Sequence, residues 1–167
     1  GRDLAYYPSP LGLPALRQLV ADKLARDRDI HVSSEEVVLT SGSGEAILML
    51  IQALTNPGDV VLTEEYVYSG TLRQMKLFGS DVRSVPCDED GFIPEALEDV
   101  IRKAESENKP IKYLYTIPCF QNPLGWTMSL DRRKRILEIA RSHEIPILED
   151  DCYVDLRFEG EDITSIH

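Results

Sequence analysis

The chain has 167 residues, 43 % of them hydrophobic and 28 % charged, enough apolar content for one ordinary core and too much for a disordered segment. A formal net charge of −11 argues against nucleic acid or an anionic membrane as a partner, although a local nest of N–H groups still holds an anion in such a field. Cys87, Cys119 and Cys152 are odd in number and unclustered, so neither a disulfide framework nor a metal site is expected and a reducing cytoplasm is the default.

Pro14 suits the first position of a helix, and Leu16, Val20 and Leu24 follow at four-residue spacing as its inner stripe, up to the charged stretch Arg26–Asp29. Val37–Thr40 reads as a short buried strand, followed by Ser41-Gly42-Ser43-Gly44 and an apolar helix from Glu45 to about Leu54. The run Ala46–Leu54, broken by Gln52, is far too short to span a bilayer. The start of the chain lacks the basic-then-apolar pattern of a signal peptide, which leaves room for a transit peptide upstream of Gly1.

Asn56-Pro57-Gly58-Asp59 is a turn, Val60–Thr63 the next strand and Ser69–Phe78 a helix. Val82–Val85 is predicted as a strand, Pro94 to about Glu105 as a helix and Ile111–Ile117 as a strand. A helix starting at Ser129 follows, with Ile136, Leu137 and Ala140 inward, then a last strand over Pro146–Glu149 and a polar tail over Glu159–His167. Strands alternating with helices imply an α/β fold, a mostly parallel sheet sandwiched by helices.

Chemistry concentrates at the ends of strands, where open α/β sheets hold ligands. Asn122-Pro123 follows the strand Ile111–Ile117, and Asp150 ends the strand Pro146–Glu149, with Tyr153 three residues later. An amide, a carboxylate and a phenol suit a flat heteroaromatic ring bearing a nitrogen and a hydroxyl, and pyridoxal phosphate is such a cofactor. Asp150 would keep the ring nitrogen protonated, making the ring an electron sink. Asn122 and Tyr153 would donate to the ring hydroxyl oxygen. Each has a bland counterpart: a solvated loop acid, an Asn-Pro turn initiator, a half-buried phenol.

Ser41-Gly42-Ser43-Gly44, between a strand and a helix, is an anion-binding arrangement through backbone N–H groups and the helix N-terminus, to which Ser43 can add a hydroxyl, or merely a glycine turn. The segment lacks the Lys-Ser/Thr of a phosphate-binding P-loop, which argues against nucleotide hydrolysis. Tyr68, after the strand Val60–Thr63, would stack on a cofactor face or simply pack. Glu64 and Glu65 read as loop acids. His31, His143 and His167 show no metal or triad spacing, and neither Ser41 nor Ser43 has a well-placed base.

Six segments together resemble the fold-type I pyridoxal-phosphate enzymes, class I/II aminotransferases, in the 2-aminoadipate/kynurenine and aromatic branch. They are Tyr7–Leu16, Thr40–Ala46, Asn56–Leu62, Tyr68–Leu72, Tyr113–Gly125 and Ile147–Leu156. The resemblance implies that Ser43 and Gly44 hold the phosphate and that Tyr68 stacks on the ring. It assigns Asn122 and Tyr153 to the ring hydroxyl and Asp150 to the ring nitrogen. Tyr7 would serve the neighbouring subunit's active site in a homodimer, with Gly12 near the substrate. Gly44-Glu45, Leu124 and Cys152 depart from the family pattern without removing a required side chain.

The family's Schiff-base lysine follows the Asp-Tyr motif, whereas the last lysine here is Lys134, before it. The expectation is therefore an N-terminal fragment, inactive by itself. Residues 1–36 would form an N-terminal substrate loop and helix and 37–167 part of the cofactor-binding large domain, with the catalytic lysine beyond His167. The complete protein would transaminate an amino acid, aromatic or 2-aminoadipate-like, against a 2-oxo acid. Two alternatives stand beside this: another reaction of the same cofactor (β-lyase, decarboxylase or synthase), or the aminotransferase-like sensor domain of a transcription regulator.

Overall fold

A computed structural model describes Tyr7 and residues 9–166, in two units that part between Gly42 and Ser43. Residues 1–6 and 8, part of the expected 1–36 segment, and His167 lie outside the described residues.

In the first unit Pro14 opens helix α1 (Pro14–Arg28), where its absent N–H costs nothing, and Asp29 closes it in the left-handed region. The buried positions are Arg17 and Ala21, with Val20 and Leu24 partly covered and Leu16 46 % exposed. The inner stripe is thus turned from the predicted Leu16-Val20-Leu24 because the Arg17 guanidinium is drawn inward, donating to Ser34 O at 2.7 Å and pairing with Glu35 at 3.4 Å. Val37–Thr40, expected as a strand, is extended chain outside any sheet among the described residues. A strand needs a paired neighbour, and the segment's backbone bonds run instead to Ser34 O and, from Leu39 N, to Leu11 O at 3.0 Å. Gly12 has φ +95°, and a Cβ there would lie 2.6 Å from Leu39 Cδ1, so both backbone and space require glycine.

The second unit contains helices α2 (Ser43–Leu54), α3 (Ser69–Leu77), α4 (Pro94–Ser106) and α5 (Leu130–Ser142). Its strands are β1 (Val60–Glu64), β2 (Asp81–Val85), β3 (Cys87–Asp88), β4 (Gly91–Phe92), β5 (Ile111–Thr116) and β6 (Ile147–Glu149). Every element expected between Ser43 and Glu149 is present. The β3–β4 hairpin was not foreseen, since two-residue strands carry no period. Ser129 caps α5 by accepting from Arg132 N at 3.3 Å, in keeping with its expected place at the helix start.

Four strands form one parallel sheet in the order β2-β1-β5-β6. Alternation along the strands sends Val60, Leu62 and Leu114 to a core shared with Leu97, Ile101, Ile136 and Ile139 of α4 and α5. Val61, Tyr113, Tyr115 and Ile117 face the opposite way, onto Ile47, Ile51 and Met75 of α2 and α3. Both faces are therefore covered, the usual state of parallel sheets. The chain passes from β1 to β2 on one side and returns with β5 on the other, which places a topological switch point between the carboxyl ends of β1 and β5.

Arg133 of α5 is 1 % exposed and offsets its burial by donating to Met128 O, Pro118 O and Thr164 O at 3.0–3.1 Å. The tail expected to be polar ends packed: Ile166 is buried in the α4–α5 core, and its N–H donates to the Glu149 carboxylate at 3.0 Å. Among the described residues no helix is long and apolar enough to cross a membrane.

Candidate cofactor site

A cleft of about 260 Å³ opens at the switch point, within the second unit. It is slightly smaller than the roughly 300–1,000 Å³ typical of pockets for drug-sized ligands, and in scale with a single-ring molecule. Ser43, Gly44, Tyr68, Asn122, Asp150 and Tyr153 all line it. Tyr7 and Gly12 belong to the first unit, where the Tyr7 side chain is fully exposed. None of the cleft's lining residues is a lysine or arginine.

Asp150 is placed twice over. Its N–H continues the β5–β6 ladder by donating to Thr116 O at 2.9 Å, which fixes the backbone. Its Oδ2 accepts from the Tyr115 hydroxyl at 2.7 Å, and that hydroxyl lies 3.4 Å from Thr71 Oγ1. Burial, reinforced by Asp150, pushes the Tyr115 phenol far above its ordinary range, so it stays a neutral donor. Next in sequence but one, Cys152 also lines the cleft; burial and the nearby Asp150 carboxylate push its thiol up to about 11, which keeps it neutral.

The Asn122–Pro123 peptide is cis. Asn122 Nδ2 donates to the Tyr153 hydroxyl at 3.2 Å, bringing the amide and the phenol into one corner of the cleft. The same pair also borders an outer groove of about 640 Å³ lined by Phe120, Pro123, Leu156 and Phe158.

Glu64 corrects the loop-acid reading: it closes β1 and is 1 % exposed. Its Oε1 accepts from Thr116 Oγ1 at 2.7 Å and Ile117 N at 2.8 Å, and its Oε2 from Gln121 Nε2 at 3.1 Å. Gln121 in turn donates to Tyr66 O at 2.6 Å and accepts from Leu124 N at 2.8 Å. Glu64 thereby braces the turn that carries Asn122. Burial pushes its carboxyl up to about 7, against the pull of its three donors. Sequence reasoning missed both residues because the bond joins positions far apart in the chain. The one local sign was Glu64's place at the end of a strand led by the apolar run Val60-Val61-Leu62.

At the other wall Ser43 and Gly44 form the first turn of α2 rather than the loop before it. Their N–H groups are among those a helix leaves without an internal partner. A Cβ on Gly44 would meet nothing within 4 Å, so the helix end is open on that side. Gln74 of α3 donates to Gly44 O at 3.3 Å, while its Oε1 is buried without a hydrogen-bond partner. The Tyr68 ring folds over Gly70, where any Cβ would collide with it. Away from the cleft, His31 and His143 pair with Asp29 and Glu105 at 2.9 and 2.8 Å, and no metal-holding cluster occurs among the described residues.

The chain as a whole is similar to several known proteins. The aromatic-amino-acid aminotransferase 1 of Thermococcus litoralis is 36 % identical over 160 residues, 96 % of this chain and 38 % of its own. The kynurenine aminotransferase of Pyrococcus horikoshii, crystallised with PMP and kynurenine, superposes with a TM-score of 0.89 at 33 % identity, over 96 % of this chain and 40 % of that one. An uncharacterised HTH-type transcriptional regulator of Bacillus subtilis, YisV, is 37 % identical over 153 residues, 92 % of this chain and 30 % of its own. The chain thus spans about two fifths or less of the length of these relatives. The family model for aminotransferase class I and II matches residues 1–167, and the chain belongs to that family.

Proposed function

We propose that the complete protein is a pyridoxal-phosphate-dependent aminotransferase acting on an aromatic or 2-aminoadipate-like amino acid and a 2-oxo acid. The observation that supports this best is the convergence of Asp150, Asn122, Tyr153, Tyr68 and the N-terminus of α2 on one cleft. The donor set fits the cofactor group by group: an open helix end for the phosphate, a carboxylate for a ring N–H, an amide and a phenol for a ring oxygen, and a ring for stacking. When bound, the cofactor supplies a protonated pyridine ring that withdraws electrons from the substrate α-carbon and a carbonyl that carries the amine between the two acids.

Ser43 and Gly44 bind the phosphate through their N–H groups in this reading. Asp150 holds the proton on the ring nitrogen, with Tyr115 keeping one of its oxygens occupied. Asn122 and Tyr153 orient the ring oxygen. Tyr68 covers one face and excludes water from it. Tyr7 and Gly12 serve substrate binding in a homodimer, with residues 1–36 as the substrate segment and 37–167 as part of the large domain.

Borohydride reduction of the complete protein with pyridoxal phosphate, followed by peptide mapping, tests the reading. A single labelled lysine outside this chain is expected, and no label at Lys23, Lys76, Lys103, Lys109, Lys112 or Lys134. Stoichiometric label on one of those six would refute it. The 167-residue chain alone is accordingly expected to be inactive. Replacing Tyr68 by alanine in the complete protein should weaken pyridoxamine phosphate binding by about tenfold, at the upper end of an aromatic stacking contribution. Unchanged affinity in a fluorescence titration would remove Tyr68 from that role.

The likeness to a helix-turn-helix regulator favours a second reading, a sensor domain that binds the cofactor without turnover. Amino transfer from an aromatic amino acid to a 2-oxo acid distinguishes the two.

A further inference from the structure

Two tyrosines on β5 face the α2–α3 side of the sheet, and both are fully buried. The Tyr113 hydroxyl has no hydrogen-bond partner, and burial pushes it up to about 12. The Tyr115 hydroxyl, one sheet position nearer the carboxyl end, reaches Asp150 Oδ2 at 2.7 Å and stands 3.4 Å from Thr71 Oγ1. Asp150 and Thr71 line the cleft; Tyr115 lies beneath it. A phenol buried merely to fill space gains nothing from this placement, as Tyr113 shows, whereas a neutral O–H donor 2.7 Å from a carboxylate makes a charge-assisted bond.

We infer that Tyr115 is a positioning residue that sets the plane of the Asp150 carboxylate. The inference rests on the assignment of Asp150 to the ring nitrogen. The terminal torsion of an aspartate is soft, and the backbone bond from Asp150 N to Thr116 O leaves it undetermined. The Tyr115 hydroxyl removes that freedom by engaging one oxygen, so the other is left for a ring N–H. Thr71, at the start of α3 near Tyr68 and Gly70, stands within reach of the same hydroxyl, so one line of polar groups links the covering helix to the cleft floor.

The test is a double-mutant cycle in the complete protein with Tyr115→Phe, Asp150→Asn and their combination, reading the dissociation constant of pyridoxamine phosphate. Phenylalanine keeps the ring and removes only the hydroxyl. Tyr115→Phe alone is expected to weaken binding by about tenfold, the worth of one hydrogen bond to a charged group. It should have no further effect once Asp150 is asparagine. The ring-nitrogen ¹⁵N resonance of the bound cofactor should move toward the unprotonated position in Tyr115→Phe and stay put in the control Tyr113→Phe. Melting temperatures of the single variants report any loss of fold. Additive effects in the cycle, or an unmoved ¹⁵N resonance with a lowered melting temperature, would show Tyr115 to be structural only. If the wild-type protein binds no pyridoxamine phosphate, the cofactor reading itself fails and this inference with it.

Discussion

Asp150→Ala in the complete protein is expected to lower amino transfer by about a thousandfold, or ~4 kcal/mol of barrier, while the fold survives. The carboxylate is the one acid lining the cleft. In the proposed role its removal would leave a pyridine nitrogen to titrate near its own value, and an unprotonated ring withdraws electrons poorly. Its structural cost is small, since the backbone bond to Thr116 O is made by the N–H and persists with alanine. The Tyr115 hydroxyl loses one partner and keeps Thr71 within 3.4 Å. Steady-state rates with an aromatic amino acid and a 2-oxo acid decide the matter, and turnover within tenfold of wild type would take Asp150 off the ring nitrogen.

The second large effect concerns Glu64 and pH. Burial raises its carboxyl from the ordinary 4.5 to about 7, so the native state binds this proton more tightly than the unfolded chain does. The stability that follows is fully present below pH 4.5 and is lost as pH rises through 7. Its size is about 3 kcal/mol at the order-of-magnitude level. Glu64→Gln removes the titration. Oε1 continues to accept from Thr116 and Ile117, but the new amide faces the Gln121 amide donor, so a constant cost replaces a pH-dependent one. Unfolding midpoints in urea, measured without cofactor at pH 4.5 and above 7, should converge for wild type and variant as pH rises. Parallel profiles would mean that Glu64 does not titrate in this window.

The second unit was legible because its elements declare themselves locally. Pro94 begins α4, Ser129 caps α5, and the apolar runs Val60–Leu62 and Tyr113–Tyr115 lie in buried parallel strands. The same rule misled at Val37–Thr40, where the run pairs with no strand among the described residues, and at α1, where burying Arg17 shifted the inner face. The cleft's first ring of residues was legible for a further reason. Asp150 directly follows β6, with Tyr153 in the same loop, and Asn122 lies in the loop after β5; parallel strands deliver their carboxyl ends to one edge.

What sequence alone determined, then, is the succession of strands and helices and the polar residues at the strand ends, because each depends on a few covalent neighbours. The strand order β2-β1-β5-β6 was decided only by the tertiary structure. That order sets β1 beside β5, so Glu64 meets Gln121 across 57 residues, and β5 beside β6, so Tyr115 meets Asp150 across 35. Burial then turns Glu64 from a solvated acid into a brace near neutrality and Tyr115 into a fixed donor, since removing water raises both the cost of an unpaired group and the strength of a paired one.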